Sequence, residues 1–353
     1  MSLPRSLLSL LVALTATPLL AQSKQWNDIN LALTDQVVLP AYERFAQATA
    51  PLVTDSVALC AGPSAEKLVK LQGDFHNAMD AWQSVQHIQF GPITYFNWNY
   101  RVQFWPDDKG AGNRQLDVLL ASGNSAALEP TAFAQQSVGV QGFQALERLL
   151  FDKDSLAELQ KAPFRCQLVQ AISRNLGEIS SNVSKRWKEE FRSTIANADK
   201  GGSQFENAED ATLDYLKAVV ENVRKIAKDK LHEVTGDTQS AAKERKAESW
   251  RADRSVRNIR QNVTALAALF GQSKPALSSV FVTADIAPIT QAFAKVQTSM
   301  AKVPDSMTAA LKTPEGYAAL KQLHDDLGAL YEKLEAAVKH TDFNLGFNSL
   351  DGD

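Results

Sequence analysis

The sequence is poor in the residues that make turns and covalent frameworks. Its 353 residues include only 17 glycines and 13 prolines, below the roughly 12% that average usage gives these two residues. A β-sandwich or barrel needs more of both for its turns, so the shortage favours long helices with few connections. Two cysteines, Cys60 and Cys166, are too few for a disulfide-dense scaffold or a cysteine-rich zinc or iron–sulfur framework.

A surplus of one charge is also lacking. The chain has 37 Lys and Arg against 40 Asp and Glu, for a net charge of −3. Nucleic-acid-binding proteins normally carry a basic surplus, so nucleic acid is not an expected partner. Hydrophobic residues make up 44% of the chain, which is enough to build a core and excludes a disordered protein.

The first 21 residues have the pattern of a secretory signal peptide. Arg5 supplies the positive charge, an apolar run follows from Leu7 to Leu14, and Ala21 lies at a plausible cleavage point. The run is too short to span a bilayer, and no other stretch approaches 18 apolar residues. Gln22 stands where a lipoprotein would need cysteine. We therefore expect a periplasmic, non-lipidated chain without a transmembrane segment, with association to the outer membrane left open.

Export would decide the oxidation state of the two cysteines. An oxidising compartment makes a Cys60–Cys166 disulfide chemically reasonable. Two buried free thiols are the alternative.

Apolar residues recur at the helical period along most of the chain. The clearest stripe predicts a helix over 64–87 with Ser64 as its N-cap, and it consists of Leu68, Leu71, Phe75, Met79 and Trp82. Alternating strand patterns of useful length are absent. The prediction is an all-α protein of two helical bundles, of the four-helix up-and-down type, packed side by side. After a signal peptide at 1–21, the N-terminal bundle covers 22–200 and the C-terminal bundle 201–353.

One stretch, the aromatic loop 90–115, breaks the helical pattern. It carries seven aromatic residues between Phe90 and Trp105, and glycines and prolines interrupt any regular helix there. Long loops in compact domains are usually functional or disordered, and the aromatic density argues against disorder. The loop is either a plug that seals the bundle or the wall of a pocket.

The 64–87 helix also carries a polar face. His76, Asp80, Gln83 and His87 are spaced 4, 3 and 4 residues apart and share one side of the helix. Imidazole and carboxylate at i and i+4 suit a divalent metal, so His76, Asp80 and His87 are candidate ligands. An ordinary polar flank is the alternative.

Several familiar catalytic motifs are missing. His232-Glu233 opens an H-E-x-x-H pattern, but the second histidine is absent. There is no G-x-S-x-G nucleophile elbow and no P-loop.

The segment from Val138 to Phe151 resembles the signature of the imelysin family, the insulin-cleaving metallopeptidases, whose pattern is G-x-H-x-x-E. Gly142 and Glu147 match, while Gln144 stands in place of the histidine. Three further segments resemble the family in the same order: Phe90-Gly91-Pro92 with Arg101, Phe104 to Asp107 and Arg114 to Leu116; Trp250 to Ser255 with Arg257 to Ile259; and Leu345 to Asn348 with Asp351 to Asp353. The resemblance spans nearly the whole mature chain.

The resemblance implies a bacterial envelope protein of two helical bundles, with a metal site around the motif histidine and glutamate. It also implies a link to iron regulation or uptake, and a peptidase label that does not hold for every member. Gln144 departs from this pattern, because a neutral amide is a far poorer ligand for zinc or iron than imidazole. Glu147 then remains a metal ligand, a general base, or half of a salt bridge with Arg101, Arg114 or Arg254.

The leading hypothesis is a non-catalytic periplasmic protein that binds iron or another divalent ion, or serves iron uptake. The alternatives are an active metallopeptidase with Glu147 as the catalytic residue, and a helical interaction module for an envelope partner protein, without its own ligand. The C-terminal carboxylates of Asp351 and Asp353 are either oxygen ligands for a hard cation or part of a solvated tail. The residues expected around a binding cleft are Gly142, Gln144, Arg101, Trp105, Asp107, Arg114, Arg254, Asp351 and Asp353.

Overall fold

The computed structural model describes residues 16–200 and 204–345, and this part of the chain is helical without β-strands, which confirms the all-α prediction. Most of the predicted signal peptide and the carboxylates Asp351 and Asp353 lie outside the described residues. The helices are α1 Ala16–Leu33, α2 Leu39–Cys60, α3 Ala65–Gln83, α4 Trp98–Val102, α5 Ala111–Ser122, α6 Pro130–Phe133, α7 Phe143–Phe151, α8 Ser155–Lys161, α9 Pro163–Arg186, α10 Arg192–Ala196, α11 Ala208–Lys225, α12 Glu233–Thr235, α13 Ser255–Gly271, α14 Thr283–Met300, α15 Met307–Lys312 and α16 Pro314–Val338.

Three helices continue through π-helical turns, at Thr34–Val38, Trp187–Phe191 and Ile226–His232. The first of these joins α1 to α2 immediately before Pro40, a residue type that disrupts a regular α-helix. The wider turn gives room for the proline ring, which would otherwise clash with the carbonyl one turn earlier. The helix therefore runs on into α2 without stopping.

The first helix group consists of α2, α3 and α9, with α2 packed along both of the others. Ser64 caps α3 as predicted, because its side chain accepts a hydrogen bond from the Lys67 N–H at 3.3 Å. Cys60 at the end of α2 and Cys166 near the start of α9 form a disulfide, with their Cα atoms 5.4 Å apart. The predicted bridge is thus confirmed, and it ties the ends of two neighbouring helices.

The second helix group consists of α11, α14 and α16, in which α16 contacts both of the other helices. Helix α1 also packs on α11, although it comes from the N-terminal part of the chain. Asn30 on α1 donates to the carbonyl of Ala208 at 2.7 Å, and the hydroxyls of Thr34 and Tyr215 lie 2.7 Å apart. The division into bundles at 22–200 and 201–353 stays a prediction.

None of the helices within residues 16–200 and 204–345 is both long enough and apolar enough to span a bilayer.

A buried ion pair joins Lys230, in the π-helical turn after α11, to Glu248. The Nζ–Oε2 distance is 2.7 Å, and the side chains are only 3% and 2% exposed. Lys230 also donates to Gln83 Oε1 at 3.0 Å and to Asn262 Oδ1 at 2.7 Å. All three ammonium protons therefore have an acceptor.

Glu248 is satisfied in the same way. Its Oε1 accepts from Gln83 Nε2 at 3.0 Å and from Gln103 Nε2 at 2.8 Å, and its Oε2 accepts from Asn258 Nδ2 at 2.9 Å. Burial raises the pKa of this carboxyl, but Lys230 and the amide donors outweigh burial and hold the pKa below its usual value. We call Lys230, Glu248, Gln83, Gln103, Asn258 and Asn262 the buried polar network.

Removing one charge of this pair should be costly. Lys230→Met leaves an uncompensated carboxylate in the interior, and we expect the free energy of unfolding to fall by about 3–5 kcal/mol. The double variant Lys230→Met/Glu248→Leu should recover part of this loss, because no lone charge stays buried. Guanidinium unfolding of the two variants measures the difference.

Arg260→Met supplies the control. It breaks an exposed pair with Asp305, whose side chain is 90% exposed, and should cost at most about 1 kcal/mol. A double variant no more stable than Lys230→Met would contradict this account of the pair.

Candidate functional site

The aromatic loop serves both of the roles between which the sequence could not choose. At its start, Phe90 packs against Trp187 and Tyr215, with ring centres 5.8 and 5.0 Å away. This end is a plug between the π-helical turn after α9 and helix α11. At its other end, Trp105 lines a cleft. The prediction of a pocket wall therefore fits the end of the loop, and that of a plug fits its beginning.

Helix α7 begins at a point where only glycine fits. A Cβ on Gly142 would lie within 2.7 Å of the carbonyl carbon of Val102 and press on the carbonyl oxygens of Val102 and Arg101. The missing side chain lets the start of α7 approach the end of α4. Gly142 thus places α7, and with it Gln144 and Glu147, beside the aromatic loop.

Glu147 is buried on α7, with 3% of its surface exposed. Its Oε1 accepts the backbone N–H of Ala252 at 2.9 Å. Burial raises the pKa of Glu147 to about 7, against the lowering effect of the Ala252 and Arg251 backbone and of the charges of Arg251 and Arg254. A carboxyl in this state is partly protonated at neutral pH and is able to donate as well as accept a hydrogen bond.

The cleft has a volume of about 560 Å³ and lies between α7, the α5 region and the segment 242–251. Gln144 and Glu147 both line it, one helical turn apart. The Gln144 side chain is half-buried and has no hydrogen-bond partner among the described residues. Its amide is thus free to donate and to accept within a ligand-sized space.

The opposite wall of the cleft is basic and aromatic. Trp250 lies beneath two guanidinium groups, those of Arg251 at 4.4 Å and Arg245 at 5.3 Å from the ring centre. Arg251 also donates to Asp152 at 2.8 Å. Lys246, a further residue of this wall, pairs with Glu233 at 2.9 Å. The wall is therefore held in place by cation–π contacts and ion pairs.

The polar face of α3 meets an arginine from the far part of the chain. Arg254 is 1% exposed and donates to Asp80 Oδ1 at 2.7 Å and to the His76 carbonyl at 2.9 Å. Its Nη1 also lies 3.0 Å from His76 Nδ1, and Arg257 is a second partner of Asp80. Burial and the positive charge of Arg254 lower the pKa of His76 to about 4. A guanidinium therefore takes the place between His76 and Asp80 that the sequence suggested for a metal.

His87 does not join these residues as a third ligand. It lies in the turn after α3, 4% exposed, and both ring nitrogens lack a hydrogen-bond partner among the described residues. Burial lowers its pKa to about 4. Within residues 16–200 and 204–345, no three His, Cys, Asp or Glu side chains come together in a way that could hold a metal ion.

The arginines expected to pair with Glu147 have other partners. Arg101 donates to Gln141 at 2.6 Å and to Asn175 at 2.7 Å, and Arg114 donates to the Lys109 carbonyl. Among the described residues Glu147 forms no side-chain ion pair, and its carboxylate instead accepts the backbone N–H of Ala252.

Asp107 lines the cleft, but its carboxylate is already engaged. It accepts from the backbone N–H groups of Ala111 and Gly112 at 2.7 and 2.9 Å, at the start of α5. This capping contact satisfies donors that a helix N-terminus otherwise leaves without partners.

The fold and the cleft define an all-α protein with a ligand-sized site beside a buried glutamate. The family model described as Imelysin matches residues 38–334, and this chain therefore belongs to the imelysin family. Comparison with curated proteins gives no match.

Two solved structures establish the fold by comparison. An imelysin-like protein from Psychrobacter arcticum 273-4 superposes with a TM-score of 0.75 at 19% identity, covering 92% of this chain and 98% of that one. A "putative iron-regulated protein A precursor" from Parabacteroides distasonis ATCC 8503 has a TM-score of 0.69 at 15% identity, covering 88% and 95%.

Sequence reasoning missed the basic wall and the buried polar network. The wall comes largely from the segment 236–249, whose polar composition is typical of a loop and does not indicate that much of it lines a cleft. Lys230 carried a signal, because it follows Val219, Val223 and Ile226 at helical spacing, on the apolar face that continues from α11 into the π-helical turn after it. A lysine on such a face indicates a buried partner.

Gly142→Ala tests the close approach of α7 to α4. The added methyl group has to displace the backbone carbonyls of Arg101 and Val102, so we expect a loss of about 1–3 kcal/mol in unfolding free energy. The control is Gly73→Ala on α3, where a Cβ meets nothing within 4 Å. This substitution should raise the free energy of unfolding by about 0.5–1 kcal/mol, because alanine is a better helix former than glycine. Equal effects of both changes on the urea midpoint would contradict the assignment.

Glu147→Gln tests the buried carboxyl. The native pKa of about 7 lies above the ordinary value of 4.5, so between these pH values the native state binds more protons than the unfolded state. The contribution of Glu147 to stability therefore falls as pH rises through this window. Between pH 4.5 and 7, the free energy of unfolding of the variant should rise relative to that of the wild type by up to about 3 kcal/mol. Unfolding at pH 4.5, 6 and 8 measures this gain, and parallel profiles would contradict it.

Proposed function

We propose that this chain is a non-catalytic binding protein that takes a small polar ligand in the cleft beside Gln144 and Glu147. The observation that carries the proposal is the Gln144 amide, which lines the cleft, is half-buried and has no hydrogen-bond partner among the described residues. In the family pattern this position holds an imidazole. An amide replaces metal ligation with one donor and one acceptor function for a ligand.

A resident metal ion does not fit the donors that this cleft offers. Gln144 provides a neutral amide, and an oxygen of Glu147 is occupied by the N–H of Ala252. His76, an imidazole that the sequence predicted as a ligand, is held by Arg254. A zinc hydrolase needs about three protein ligands and a bound water, and the described lining of the cleft does not supply such a set.

The setting of the proposed function is the periplasm and the response to iron. The signal-peptide pattern of Met1 to Ala21 supports export. The Parabacteroides relative bears the words "iron-regulated protein A precursor" in its name, which supports a role in iron-dependent physiology for this chain as well. On this view the protein serves iron uptake by binding a small molecule in its cleft.

A thermal-shift screen against a library of small polar metabolites tests this function. Compounds that bind the cleft should raise Tm in the wild type, and Gln144→Ala should abolish the shift. Gln135→Ala, an exposed glutamine outside the cleft, should retain it. Shifts that Gln144→Ala leaves unchanged would contradict the assignment of the site.

The metallopeptidase alternative is tested separately. Incubation with a reduced and alkylated protein in the presence of zinc should give no cleavage. Chelator-sensitive cleavage that Glu147→Ala abolishes would overturn the non-catalytic proposal.

A further inference from the structure

Two histidines that are far apart in the sequence meet on the surface of the second helix group. His232 ends the π-helical turn after α11, and His324 lies on the facing side of α16. Their ring centres are 5.7 Å apart and the ring planes are inclined by 36°. Both rings are partly exposed, with 28% exposure for the His324 side chain. We propose that His232 and His324 together bind one divalent transition-metal ion such as Zn²⁺.

The separation of the rings suits a shared ion. Zinc binds imidazole nitrogen at about 2.0–2.1 Å, so the centre of each ring lies about 3 Å from the metal. Two rings that share one ion at a tetrahedral angle then have centres about 5–5.5 Å apart. The observed spacing is within a small side-chain adjustment of this value, and water completes the coordination.

Asp325 orients one of the two rings. The Nδ1 of His324 lies 3.2 Å from Asp325 Oδ1. Donation of the Nδ1 proton to this carboxylate leaves the lone pair of Nε2 for the metal, as in the carboxylate–histidine–metal arrangements of many proteins. The pair therefore has two ligands and one of the supporting contacts that metal sites use.

At this position a bound ion would connect two elements of the second helix group. The π-helical turn Ile226–His232 packs on α16, so a shared metal would link the two. The next residue, Glu233, pairs with Lys246 on the wall of the cleft. This metal site is separate from the cleft lined by Gln144 and Glu147, and the proposal does not depend on the proposed function.

His340 provides a matched control within the same chain. Its Nδ1 contacts Asp285 Oδ2 at 2.8 Å, so it also has a carboxylate partner. Among the described residues, however, it makes no ring contact with a second imidazole. A single histidine of this kind should bind divalent ions only weakly.

Isothermal titration of the full chain with ZnCl₂ at pH 7.5 tests the proposal. We expect one ion with a Kd in the tens of micromolar in the wild type and in His340→Ala. His232→Ala and His324→Ala should each weaken binding at least tenfold, or about 1.4 kcal/mol. Asp325→Asn should weaken it less while leaving both rings in place. In a thermal scan, Zn²⁺ should raise Tm only where both histidines are present.

Two outcomes would overturn the proposal. One is a wild-type Kd weaker than 1 mM, and the other is an unchanged Kd in both single-histidine variants. If an alanine variant does not fold, His324→Asn takes its place, since asparagine keeps a polar side chain at the same surface position. Glu147→Gln should bind Zn²⁺ as the wild type does, which separates this site from the cleft.

Discussion

The buried pair of Lys230 and Glu248 is the constraint on which the arrangement of the site depends. Two charges in the interior are tolerated only when every proton and lone pair finds a partner, and here the partners come from three segments distant in sequence. Gln83 ends α3, Gln103 belongs to the aromatic loop, and Asn258 and Asn262 lie on α13. Any shift among these segments would leave a buried group unpaired.

The same pair sets the walls of the cleft. Trp105 follows Gln103 by two residues and Ser249 follows Glu248 directly, and both line the cleft. Opposite walls of the ligand site are therefore fixed by adjacent partners in one hydrogen-bonded network. This explains how a site built largely from irregular segments keeps a defined width.

The helices were predictable because their evidence is local. The apolar stripe of α3 and its Ser64 cap follow from spacing and from one side-chain oxygen. The π-helical turn before Pro40 was not predictable, because such a turn leaves no mark in the apolar pattern. For the site, the sequence pointed to the correct helix and to Gln144. It did not show which groups reach Glu147 and Asp80, because Ala252 and Arg254 come from a segment more than a hundred residues away along the chain.

The three π-helical turns also affect how this chain relates to distant relatives. Each such turn accommodates one residue more than the α-helix around it and rotates everything beyond it by about 100° relative to an uninterrupted helix. Relatives that lack a given turn would therefore differ by a single-residue insertion inside a helix, with both flanking faces still packed correctly. Gaps placed only in loops would misalign all of α2, or the residues of α12 that follow the turn after α11.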